Sequence, residues 1–232
     1  MCSLYECGEM RREGLRGARG WLTVAMTGVP MFPLGSVLLP FTPLPLRVFE
    51  PRYLTMIGRL LDETEPQFGV VLIERGPEAG GGDQRSSIGT MARLVRVAAT
   101  ATDLQVIAVG AERIAVDRWL PDDPYPVAEV SPVAPLQWAD ALTPLRDEAE
   151  RIVRRVLALA GDDERVQWDA AIELSPDPVE SSWQLAAIAP LGELDRFTLL
   201  RSTTLGGLLR QVIDLTLDIE PLLTRRSGDD LV

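Results

Sequence analysis

The sequence predicts an α+β chain in which a small closed or half-closed β barrel with one inserted helix precedes an α-helical bundle. Three observations predict it. Short runs rich in β-branched residues, bounded by glycine, proline or polar turns, fill residues 31–135. One run of helical period interrupts them early, at Glu50 to Glu63. From about Leu136 the apolar residues recur at spacings of three and four as far as Pro221. The 232 residues are enough for both parts and an ample core.

Met31 to Leu34 reads as a short strand whose Pro33 suits an edge or a strand start. Ser36 to Phe49 is rich in Val, Leu and Phe but broken by Pro40, Pro43 and Pro45, so it reads as extended pieces with bends. In the helical run, Tyr53, Met56, Ile57, Leu60 and Leu61 mark one face and Pro51 suits the first turn. Gln67 to Glu74 (QFGVVLIE) reads as a buried strand. Gly76 to Ser87, around Gly80-Gly81-Gly82, reads as a flexible loop. Strands follow at Gly89 to Ala99, Leu104 to Gly110, Arg113 to Trp119 and Val127 to Val133. Thr100 to Asp103 is a polar hairpin turn, and Gly110 marks a bulge or tight bend.

In the helical part, Thr143-Pro144 is an N-cap and first-turn pair, and Gly161 ends the helix that follows. Asp147–Arg151 and Glu150–Arg154 are i,i+4 pairs on its polar side. Two shorter helices, 181–190 and 193–201, are parted by Pro190 and Gly192. The last runs from about Thr203 to Glu220, where Pro221 stops it, and a polar tail frays from Thr224. The expected organisation is a disordered leader, or residues upstream of the true start, at 1–29. The barrel then spans 30–135, the bundle 136–224 and the tail 225–232.

The composition excludes much chemistry. There is no histidine, and all 23 basic residues are arginine, so there is no lysine. Ser-His-Asp triads, His-ligated zinc, Schiff bases, Ser-Lys dyads and the lysine of a phosphate-binding loop are therefore out of reach. The net charge of −11 argues against phosphate backbones and anionic membranes. No run of 18 or more apolar residues suggests a membrane span. Cys2 and Cys7 cannot staple the chain, which fits a reducing, cytoplasmic setting.

The acid clusters Asp122-Asp123, Asp162-Asp163-Glu164 and Asp229-Asp230 sit in turns and at the tail, where solvated carboxylates are the default. The glycine run lacks the setting of a nucleotide cradle. Thr90, Ser86 and Ser87 have no base to activate them. No catalytic residue, metal site or cofactor is expected. Pro40 to Tyr53 (PFTPLPLRVFEPRY) is the most distinctive stretch. Its charges suit Glu50 pairing with an arginine to fasten the inserted helix. Alternatively, its edge receives a peptide by strand addition.

FPLGSVLLPFTPLPLRVFEPRY at 32–53 resembles the opening of the Lon N-terminal, or Lon substrate-binding, domain family. The resemblance rests on Phe32, Pro33 and Leu34, on Pro45 and Leu46, and on Phe49, Glu50, Arg52 and Tyr53. Gly89-Thr90-Met91-Ala92 and the turn from Gly110 to Arg113 follow in family order, and 183–223 is similar to the family's trailing bundle. These positions are structural or peptide-binding. The resemblance implies a PUA-like β barrel with a helical appendage, free-standing, without the ATPase and Ser-Lys peptidase that follow it in Lon. It also implies a non-catalytic module whose partners are protein or peptide segments, acting as an adaptor or quality-control factor. A PUA-type RNA binder is the alternative, and an enzyme using a carboxylate pair or a metal is the third reading.

Overall fold

The computed structural model describes residues 25–75, 84–160 and 168–229, with side chains as far as Leu223. Both cysteines, the glycine run at 80–82, Gly161, Asp162-Asp163-Glu164 and the side chains of Asp229-Asp230 lie outside the described residues. The chain divides into two compact units between Pro135 and Leu136.

The first unit contains strands β1 (Met26–Leu34), β2 (Pro43–Val48), β3 (Gln67–Arg75), β4 (Gln84–Ala99), β5 (Leu104–Leu120) and β6 (Val127–Pro132), with helix α1 (Pro51–Leu60) after β2. The sheet order is β2-β5-β4-β3-β1-β6, and β5 also pairs with β6. The pairings β1–β3–β4–β5–β6–β1 therefore run in a closed circuit, with β2 added outside it on β5. β1 and β3 are parallel neighbours. Parallel neighbours need a long crossover, and the segment carrying β2 and α1 supplies it.

Successive residues of these strands face opposite ways, and both faces are buried. Met31, Val71, Met91, Ile114 and Val130, one from each strand of the circuit, belong to one cluster. Their neighbours Phe32, Val70 and Ala92 belong to another, which α1 covers with Tyr53, Met56, Ile57 and Leu60. Double burial explains why β3 reads as an unbroken apolar run rather than an alternating one. Gly69 leaves room for the Met31 sulfur, which a Cβ there would strike.

Four differences from the sequence expectation stand out here. β1 begins at Met26, inside the expected leader, because Met26, Val29 and Pro30 pair with β6 and Val29 is buried. β4 begins at Gln84 and takes in Ser86, a buried residue, and Ser87 from the expected loop. β5 is one strand, not two. The extra residue near Gly110 is absorbed by a register shift against β4 between the pairs Thr90–Arg113 and Ala92–Gly110, so the ladder continues through a bulge. Glu50 does not tie α1 to the strands. Its carboxylate accepts from Arg52 within the helix start, at 3.0 Å. Arg59 makes the tie instead, donating to the Asp123 carbonyl and the Tyr125 hydroxyl, both at 3.2 Å.

The hairpin between β4 and β5 closes on Asp103. Its carboxylate accepts from the Thr100 hydroxyl at 2.6 Å and from Arg47 Nε of β2 at 2.5 Å. Thr100, then Arg47, holds the Asp103 carboxyl below its ordinary value of 3.8. A depressed folded-state pKa adds stability above the unfolded value, and that stability is lost as pH falls through the folded one. Asp103→Asn is therefore less heat-stable than the wild type at pH 7. In melting curves taken at descending pH the gap closes below about 3.8, the ordinary carboxyl value.

The second unit holds a 3-10 turn (Asp140–Leu142), then α2 (Thr143–Ala160), α3 (Pro178–Ile188), α4 (Glu193–Leu200) and α5 (Leu205–Asp229). Every residue from Ser181 to Ala189 is buried, so α3 is the unit's central helix. It is capped by Asp177, which accepts from Val179 and Glu180 N–H groups at 2.9 and 3.0 Å, with Pro178 in its first turn. On α2, Arg154 pairs with Glu150 at 2.8 Å, as the spacing predicts. Arg151 pairs with Glu148 at 2.6 Å rather than with Asp147, which contacts Arg146. The Thr143 hydroxyl donates back to the Asp140 carbonyl, so the 3-10 turn leads into α2 where an N-cap bond was expected.

α5 does not stop at Pro221 but continues through it to Asp229. Leu223, two residues past the proline, is buried with Ile152 and Val156 of α2. That packing offsets the missing bond to the Leu217 carbonyl. An internal proline costs a helix about 3 kcal/mol. Pro221→Ala is expected to stabilise the protein by up to that amount in urea denaturation. An unchanged midpoint would mean that the turn beyond 221 contributes nothing.

Candidate functional site

The structure divides the motif positions among three places. The first is an aromatic stack at the start of α1. The Phe32 and Tyr53 rings lie 4.0 Å apart and 9° from parallel, with Phe68 tilted against Phe32 at 6.0 Å. The Arg52 guanidinium lies 4.6 Å from the Tyr53 ring centroid and is held there by Glu50. Pro33 and Leu34 continue β1 from this stack, both buried, opposite Val71 and Leu72.

The second place is β2 with its exit. Pro45 is exposed, Leu46 is half-buried against the α1-covered core, and Phe49 just beyond is 63% exposed. The Gly110 N–H donates to the Thr42 carbonyl at 2.9 Å, which sets the phase of the β2–β5 ladder. In that phase Leu44, Leu46 and Val48 exchange bonds with β5, while Pro43, Pro45 and Arg47 turn their backbone outward. Proline has no N–H, so within β2 the outer edge keeps a donor only at Arg47. An incoming strand needs donors and acceptors in alternation, and this edge offers chiefly acceptors.

The third place is the wall under the loop between β1 and β2. The Thr90 hydroxyl donates to the Leu38 carbonyl at 2.7 Å, and the Thr42 hydroxyl to the Leu39 carbonyl at 2.6 Å. The Phe41 N–H donates to the Gly110 carbonyl at 2.8 Å, with Phe41 at φ 60° in the left-handed region. A Cβ at Gly110 would run into the Leu39 carbonyl, and one at Gly89 into the Val70 carbonyl. The two motif glycines are therefore close-approach positions. Arg113 is buried, donates from Nη2 to the Ala134 carbonyl at 2.8 Å, and has its pKa lowered by that burial.

The described polar groups of these places are taken up in hydrogen bonds within the fold. Thr90 and Ser86, the nominal nucleophiles, donate to the Leu38 and Ile88 carbonyls. Among the described residues no group of three or more acids or cysteines could hold a metal ion. Sequence reading missed Arg59, Asp103 and Thr42. Arg59 in the last turn of α1 and the Thr100–Asp103 turn were visible as local signals, but their long-range partners were not.

Comparison with known proteins places the chain. The family model of the ATP-dependent protease La (LON) substrate-binding domain matches residues 28–218. The chain belongs to that family of substrate-binding domains. A Lon N-terminal domain protein from Xanthomonas campestris is similar, at 26% identity over 82% of this chain and 98% of that one, with a TM-score of 0.57. The N-terminal domain of the Mycobacterium avium complex Lon protease shares the fold at 18% identity, over 82% and 98%, with a TM-score of 0.61. No curated protein matches the sequence. The α+β class expected from the sequence is that of these structures.

Gly110→Ala tests the wall. Forcing a Cβ against a fixed carbonyl costs about 1–3 kcal/mol, so the variant should melt well below the wild type. Gly58→Ala on exposed α1, where a Cβ meets nothing within 4 Å, should not be destabilised.

Proposed function

We propose that the protein is a non-catalytic binding module that captures exposed apolar or extended polypeptide segments, working as an adaptor or quality-control factor in the cytoplasm. The observation that carries this reading is membership of a substrate-binding family over residues 28–218. Its working parts are the β unit, from Met26 to Pro135, and the helical unit from Leu136 on. Phe49, a large apolar side chain left 63% exposed directly after β2, is the contact residue the reading singles out. The other motif positions act as its scaffold. No helix among the described residues is long and apolar enough to cross a membrane. The net charge gives an RNA-binding role no support.

The test is fluorescence polarisation of the full chain against a permanently unfolded protein and its folded form. The unfolded form should bind and the folded form should not. Phe49→Ser should weaken binding about tenfold, the loss expected when part of a phenylalanine's burial is forfeited, with the melting temperature kept. Equal binding of both forms, or of neither, rejects the reading.

A further inference from the structure

The sheet face opposite α1, at the β2 end, differs from the rest of this acidic chain. Pro43, Pro45 and Arg47 of β2 lie opposite Val109, Ile107 and Gln105 of β5. Val109 and Ile107 lie in turn opposite Arg93 and Arg96 of β4. Directly opposed residues share a face. All of these side chains are exposed or half-buried, whereas Val48, Val106, Ala108 and Leu94, which alternate with them, are buried in the cluster that α1 covers. Val95, 40% exposed, sits at the bulge between Leu94 and Arg96.

The face thus has an apolar centre rimmed by three arginines. Arg47 is 73% exposed and shares its charge with Asp103. Arg93 and Arg96 have no ion pair among the described residues. Two uncompensated arginines beside exposed proline, valine and isoleucine, on a chain of net charge −11, call for an acidic partner that also carries apolar side chains. The donor-poor outer edge of β2 directs that partner across the face by its side chains rather than alongside the sheet as an added strand. The face carries no aromatic platform for bases, which favours polypeptide over nucleic acid.

We propose that this β2–β5–β4 face docks acidic, apolar-bearing unfolded segments, with Arg93 and Arg96 selecting their charge. The assignment rests on the binding-module reading and names the substrate class of that function.

The experiment uses the full chain and three labelled, unstructured peptides with identical apolar residues and either Glu, Gln or Arg between them. The Glu peptide should bind about tenfold more tightly than the Gln peptide at low salt, an advantage that salt erodes. An R93Q/R96Q double variant with an unchanged melting temperature should lose that advantage and keep its affinity for the Gln peptide. Equal binding of Glu and Gln peptides, or an advantage that survives in the variant, overturns the face assignment alone. If no peptide binds while the unfolded protein still does, the face assignment falls and the module reading stands; if neither binds, both fall. Single-stranded RNA that outcompetes the Glu peptide and is lost with R93Q/R96Q would overturn the polypeptide assignment.

Discussion

The β unit depends on one strand serving three partners. β5 pairs with β4 along most of its length, with β2 at its beginning and with β6 at its end. Its 17 residues give it the length to do this. The register shift beside Gly110 bends it partway and strengthens its local twist. Closure follows, and with it the double burial that places Met31, Met91 and Ile114 on one side and Phe32, Val106 and Ala108 on the other. The loop between β1 and β2 docks at the same point, because a residue without a side chain lets a foreign carbonyl come close.

The sequence was legible wherever local pattern and tertiary environment agreed. α1 combined helical spacing with a proline in its first turn, and it formed as expected over Pro51–Leu60. α3 and α4 were parted at Pro190 and Gly192 as read. It was misleading where tertiary packing overrode a local signal. Pro221 is a stop signal by itself, but Leu223 buried against Ile152 and Val156 outweighs it. Gly110 read as a bulge or tight bend between two strands; the bulge is there, but the strand runs on through it, and the Leu39 carbonyl lies where a side chain would be.

Much the same division applies to the candidate site. The motif positions were legible as residues, but their roles were not, since a motif records which residues occur and not what they touch. Glu50 was expected to pair with an arginine and fasten the helix, and it pairs with Arg52 in the same helix start. Gly89 and Thr90 read as part of a strand and lie in β4, where Gly89 meets the Val70 carbonyl and Thr90 holds the loop at Leu38. The arginine-rimmed face was invisible in one dimension. Arg93, Arg96, Ile107 and Pro45 come from three strands, and only the register of β2 and β4 on β5 brings them together.

The prolines of β2 have a consequence for self-association. In the proposed role the protein would be surrounded by unfolded segments ready to stack into cross-β aggregates. A free strand edge with a full row of donors and acceptors would template them, and the binder would become a seed. Pro43 and Pro45 remove the donors from that edge at the positions turned outward. A binder of the proposed kind would then hold such chains without nucleating their assembly.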